Sequence, residues 1–178
     1  MTDFEPAAPV PDDKDWTFVL DRICPECGFL AADVDTRDLA ALVHAAAAPW
    51  ASVLARPDAG VRPAPQVWSP LEYACHVRDL LGVFAARVEL MLTEDLPTFE
   101  NWDSDAAALT ERYWQQDPSR VGAELADAAR GNAEVWTRVA EEDWSRPGLR
   151  SNGSRFTIDS LGRYFLHDLR HHLHDVGA

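Results

Sequence analysis

A chain of 178 residues, 47% of them apolar and including seven tryptophans and seven phenylalanines, is long enough to close one domain around a substantial core. Its formal net charge of −14 repels phosphate backbones and anionic lipid surfaces, so neither nucleic acid nor membrane is an expected partner. Three cysteines, an odd number, fit a reducing interior better than a disulfide framework, and the expected location is the cytoplasm.

The opening stretch, MTDFEPAAPVPDDKDW, is acidic and proline-rich, without the basic start or apolar run of a signal peptide. Fifteen arginines stand against one lysine, Lys14, a bias that GC-rich bacterial coding explains. Residues 1–34 read as an irregular N-terminal arm. Within it, Cys24-Pro25-Glu26-Cys27-Gly28 looks like half of a zinc ribbon, with Gly28 permitting the tight turn. A four-cysteine site needs a second such pair, and the only other thiol is Cys75. A local turn holding the arm against the domain, a redox pair and an auxiliary metal site all stay open.

Helical signals dominate from there, and the alternation of a strand pattern is nearly absent. A first helix is expected from about Asp35 or Thr36 to Arg56, kinked or ended by Pro49. The apolar run LAALVHAAAAPWASVLA within it carries His44 and Pro49 and does not read as a membrane span. After a proline-rich connection over 56–68, Ser69-Pro70-Leu71-Glu72 forms a capping box that opens a second helix. Its apolar stripe runs Tyr73, Val77, Leu80, Phe84, Val88 and Met91. The connection EDLPTFENWDSD follows, with a short helix over 104–114, and its Phe99 and Trp102 are candidates to cover the mouth of the domain. A third long helix opens at Asp117-Pro118 and runs to about Glu142. SRPGLRSNGSRF breaks the chain, and Thr157 starts a last helix that ends at Gly177. Four principal helices, each with a core-facing stripe, predict an all-α fold: an antiparallel four-helix bundle over residues 35–178.

Four of the six histidines fall in the final LHDLRHHLHDV. His167, His171 and His174 follow at i, i+4 and i+7 and share a face, the first two about 6 Å apart along the axis. Two imidazoles so placed can point at one cation, and His76 on the second helix is the natural third ligand. The competing reading is a helix end that attracts positive charge, which accounts for His172 and His174. It leaves His76 as a hydrogen-bonded core residue. Spacing alone does not choose between the two.

WSPLEYACHVRDLL, followed far down the chain by LHDLRHHLHD, resembles the DinB/YfiT-like superfamily over roughly residues 35–176. The W-S-x-x-E-x-x-x-H opening is similar to that of its mycothiol-dependent maleylpyruvate isomerase branch. The resemblance implies a four-helix bundle that binds a divalent cation through His76, His167 and His171. That isomerase branch is expected to carry a glutamate where this chain has His167, so its substrate is not transferred. Three neutral imidazoles suit zinc or nickel, with iron and manganese as alternatives. The family implies a metal-dependent transferase or isomerase that uses a low-molecular-weight thiol such as mycothiol or bacillithiol on an electrophile, with mycothiol favoured by the GC-rich coding, and leaves a homodimer open. The second reading is a non-catalytic, metal-stabilised binding protein, sensor or dimer scaffold. Asp79, Asp168 and Asp175 are near the imidazoles in sequence as candidate outer partners, with an ordinary exposed acid the competing reading of each; His172 is not expected to ligate, and His174 is a candidate outer-shell or substrate-facing group.

Overall fold

The computed structural model describes residues 6–10 and 14–178; the start of the expected arm, residues 1–5 and 11–13, lies outside them. The chain is mostly helical. Its helices are α1 (Leu39–Ala47), α2 (Trp50–Leu54), α3 (Pro70–Thr93), α4 (Ser104–Thr110), α5 (Pro118–Trp136) and α6 (Ile158–Asp175). Short 3-10 turns cover Trp16–Leu20, Ala31–Asp33, Thr36–Asp38, Tyr113–Gln115 and Glu141–Ser145. No helix among the described residues is long and apolar enough to cross a membrane.

The helix starts follow local chemistry. At α3 the Ser69 hydroxyl accepts from the Glu72 amide at 3.3 Å, and the Ser69 amide donates to Glu72 Oε2 at 2.8 Å. Glu72 is buried, and the Arg62 guanidinium donates to both its oxygens, so the carboxylate enters the interior already paired. Asp117 caps α5 through the Arg120 amide at 2.9 Å, and Thr157 with Ser160 caps α6. Pro49, which has no N–H to donate, separates α1 from α2 instead of merely bending one helix. The third long helix stops at Trp136, short of the expected Glu142. The chain leaves through Ala140 in an extended conformation, so the acidic Glu141–Asp143 opens a new 3-10 turn. At the end of α5 the same acids would have faced the negative pole of the helix. That turn also brings Trp144 over Trp136, with ring planes 6° apart.

α5 packs against α3 and α1, α1 against α6, and α6 against α3, so the four longest helical segments enclose one core. Asn132, buried on α5, donates to the Leu81 carbonyl of α3 at 2.8 Å and accepts from Trp136 Nε1 at 2.8 Å. Gly162 lets α6 close on its neighbours: a Cβ there would stand 2.4 Å from Leu39 Cδ1. Along the α3–α6 contact, His76 meets His172 and, further along α3, Phe84 meets Tyr164 and Phe165. The contacts climb one helix as they descend the other.

Two features depart from the sequence expectation. A three-stranded sheet joins the connections: β1 (Thr98–Phe99) runs parallel to β2 (Pro147–Arg150), which pairs antiparallel with β3 (Arg155–Thr157). Strands of two to four residues are too short for alternation to show. The stretch before α1 is also part of the core, since Val19, Cys24, Phe29, Ala31 and Val34 are buried in it. The turn at Trp16–Leu20 lies against α6.

Candidate metal centre

The turn Cys24–Gly28 is closed by the Gly28 amide donating to the Cys24 carbonyl at 2.9 Å and by the Cys24 amide donating to the Phe29 carbonyl at 2.9 Å. Gly28 takes a positive φ of 74°, a conformation that strains any residue with a Cβ. Both thiols therefore face one direction, onto the last turns of α6. There, ligand atoms of Cys24, Cys27, His167 and His171 all lie within 4.8 Å of one another. Cys24, His167 and His171 are buried and Cys27 is half-buried. Cys24 Sγ stands 3.7 Å from His171 Nδ1.

The two imidazoles differ in their surroundings. His171 turns Nε2 toward Glu26 Oε2 at 3.5 Å and Asp175 Oδ1 at 3.6 Å, which favours a proton on that nitrogen and leaves Nδ1, beside Cys24, as the lone pair. Lys14 holds the other oxygen of Glu26 at 2.7 Å. His167 has no such help. It is 1% exposed, and neither ring nitrogen has a hydrogen-bond partner among the described residues. Its walls are Trp16, Phe29 and His171, with ring centroids at 5.4, 5.4 and 5.0 Å. An orphaned buried polar atom costs about 1–3 kcal/mol. A cation beside His167 removes that cost for one nitrogen, and the donor set of two thiols and two imidazoles is one that binds zinc. The residues fit a metal.

Burial keeps these imidazoles neutral. It lowers His167 to about 4, with His171 and His172 adding repulsion, and it lowers His171 as well. A neutral imidazole has the free lone pair that a metal needs. Burial raises the Cys27 thiol to about 11, so that group is protonated until a cation displaces its proton.

His76 occupies a different place. It is buried on α3, stacked on Trp102 at 5.2 Å, against Trp68 at 5.4 Å, and edge-on to His172 at 4.7 Å. Its Nδ1 is buried without a hydrogen-bond partner among the described residues, and burial holds its pKa well below the ordinary histidine value. The structure thus brings two of the three sequence-predicted ligands, His167 and His171, to the CPECG turn, with His76 beside His172 instead. His172 donates from Nδ1 to Asp175 Oδ2 at 2.9 Å, and His174 is exposed at the helix end. Of the candidate outer acids, Asp175 lies beside His171 and His172 and Asp168 lines the neighbouring cavity. Asp79 points elsewhere, accepting from Tyr113 Oη at 2.5 Å and pairing with Arg78. Phe99 is buried in β1, whereas Trp102 does lie over the cavity.

Both groups of histidines open onto one cavity of about 790 Å³ between α3 and α6. At its other end stand Arg87 and Arg150, which sequence reading passed over because arginine is surface by default. The pairing of Cys24 and Cys27 with α6 was also missed. Its signal was present as C-x2-C near one end and H-x3-H near the other, the halves of a two-cysteine, two-histidine zinc set.

Fold and site together define a helical protein in which a cluster of thiols and imidazoles that could hold a metal ion adjoins a polar cavity. The DinB superfamily model matches residues 30–176, and the chain belongs to that superfamily. Among curated proteins none matches. Among solved structures, the chain is similar to YfiT from Bacillus subtilis, described as "a probable metal-dependent hydrolase with an unusual four-helix bundle topology". The identity is 18%, the TM-score is 0.61, and the match covers 96% of this chain and 89% of that one. At that identity the likeness speaks to the fold alone.

Proposed function

We propose that this chain binds a divalent cation, zinc before nickel, iron or manganese, at Cys24, Cys27, His167 and His171, and that the adjoining cavity takes a small organic molecule. The observation that carries this reading is His167, whose two buried nitrogens lack hydrogen-bond partners among the described residues and which belongs to a cluster of atoms that could hold a metal ion. Thiolate ligands favour zinc over manganese or magnesium. Four protein ligands make a closed centre, which ties the N-terminal turn to α6 and adds its binding free energy to folding. The reading extends to an antiparallel course of the four helices, a cytoplasmic location and no nucleic-acid partner, the last supported by the charge of −14.

The enzymatic form of the proposal is a metal-dependent transferase or isomerase that uses a low-molecular-weight thiol such as mycothiol. Its support is the family resemblance together with the cavity, where Trp102, His76 and His172 form the wall beside the centre. That chemistry needs an open coordination position, which a set of His76, His167 and His171 leaves and four protein ligands do not; there a bound cation would supply Lewis acidity and hold a thiol as its thiolate. The chain's own residues would exclude water through Trp68 and Trp102 and exchange a proton at the His172–Asp175 pair. The second reading keeps the ligand set His76, His167 and His171; the buried, unpartnered Nδ1 of His76 favours it.

Elemental analysis of untagged protein, purified without chelator, tests both. One metal per chain that is lost in Cys24→Ser, Cys27→Ser, His167→Ala and His171→Ala but kept in His76→Ala supports the four-ligand centre. Loss in His76→Ala with retention in the cysteine variants transfers the site to the three histidines. Wild-type protein that takes up none of the four metals ends the metal reading. Light scattering settles the homodimer, and a thiol-dependent turnover of electrophiles by the loaded protein tests the enzyme.

A further inference from the structure

At the end of the cavity away from the thiols, two arginines are buried. Arg87 on α3 is 6% exposed and Arg150 on β2 is 9% exposed. Neither forms an ion pair among the described residues. Arg150 donates only to neutral groups: Asn152 Oδ1 at 2.9 Å, Ser154 Oγ at 3.0 Å and Tyr164 Oη at 3.4 Å. Arg87 donates once, to the Glu100 carbonyl at 3.0 Å. Its remaining N–H groups have no partner among the described residues.

Four aromatic rings surround the pair. The Arg87 guanidinium carbon lies 4.9 Å from the Phe84 ring centroid and 5.0 Å from that of Phe99. That of Arg150 lies 5.5 Å from both Phe156 and Tyr164. Burial and the repulsion of Arg150 lower Arg87 to about 10, so it is still a cation at neutral pH. Two like charges so placed destabilise each other unless an anion joins them. Asp168, which also lines the cavity, acts on Arg87 electrostatically and favours its charged form. Two guanidiniums and one carboxylate leave a single positive charge, which matches a monoanion better than a phosphate dianion.

We propose that Arg87 and Arg150 form the anion-recognition end of the cavity and bind the carboxylate of an extended organic acid. Planar guanidiniums suit a planar carboxylate, and the rings around them suit an apolar chain next to it. Arg87 follows His76 by eleven residues, three turns along the same face of α3 and roughly 16 Å along its axis. A molecule anchored at the arginines therefore runs past Trp102 toward His76. The inference rests on the proposed small-molecule role of the cavity but not on the metal.

Calorimetric titration of the full chain, once metal-free and once zinc-loaded, tests it with phenylbutyrate, its neutral amide and inorganic phosphate. Phenylbutyrate is expected to bind and the amide to fail. Arg87→Met and Arg150→Gln should each weaken binding at least about tenfold, and Arg87→Lys should fall between them and wild type. If a variant does not fold, wild-type protein decides alone: phenylbutyrate should protect Arg87 and Arg150 from phenylglyoxal. Equal binding of acid and amide, binding of phosphate but not phenylbutyrate, or no protection of either arginine overturns the proposal. Binding by a protein that takes up no metal sinks the metal reading and leaves this one standing. A zinc-loaded protein that ignores phenylbutyrate does the reverse.

Discussion

Two pairs of histidines line the same cavity and do different things. His167 and His171 sit one turn apart on α6 and meet two thiols, whereas His76 and His172 come from different helices and meet tryptophans and Asp175. Both pairs are shielded from water, and burial lowers His76 and His167 alike. The difference lies in what faces the lone pairs. In the proposed centre, an imidazole opposite sulfur is a ligand. One stacked between indoles with a single unpaired nitrogen is a wall of the cavity that can still accept one hydrogen bond.

The hardest blow to that contrast falls on the thiol side. Removing metal with a chelator, or replacing Cys24 or His167, should lower the melting temperature by about 10 °C, the effect of roughly 3 kcal/mol on a domain this size. Scanning calorimetry with and without added zinc checks it; an unchanged melt would mean that the four residues hold nothing.

The next effect is one of pH, and it belongs to metal-free protein. His167 titrates near 4 when folded against about 6.5 in the unfolded chain. Between those values the unfolded state binds the extra proton, so stability is complete above about 6.5 and falls by a few kcal/mol as the pH drops to about 4. His76 and His171, both lowered, add in the same direction. Urea melts across that range should show the fall, and zinc should move its midpoint to lower pH, because a metal competes with protons. A flat profile in apo protein contradicts the burial of these rings.

His76→Ala should cost about 2 kcal/mol through the void left between Trp68 and Trp102 while metal content stays the same. Retained stability with lost metal would reverse the assignment of the two pairs. The smallest effect is expected of His172→Asn, which removes a bond to Asp175 at the cavity edge and should cost about 1 kcal/mol or less, with no loss of metal.

Much of the scaffold was legible because helix starts are local events. Ser69 with Glu72, Asp117 before Pro118 and Thr157 before Ser160 are caps that need only three or four consecutive residues, and all three open helices. Helix ends were less legible: nothing near Trp136 announces the stop, which the packing of Trp144 over it accompanies. The small sheet escaped because β1 has two residues and its partner lies some fifty residues on. In the site, the spacing of His167 and His171 fixed a shared face, and the CPECG turn advertised two thiols.

The sequence by itself determined the caps, the break at Pro49, the turn at Gly28 and the shared face of His167 and His171, since each depends on neighbours within about one helical turn. Only the tertiary structure decided that the turn meets that face. The meeting depends on Trp16, Val19 and Phe29 packing the N-terminal stretch against α6, a contact between segments well over a hundred residues apart. It also decided that Arg87 and Arg150, unremarkable as letters, are buried near each other with no ion pair among the described residues. Short-range rules carry no information about which distant surface closes over a charge, and at both ends of this cavity that closure sets the chemistry.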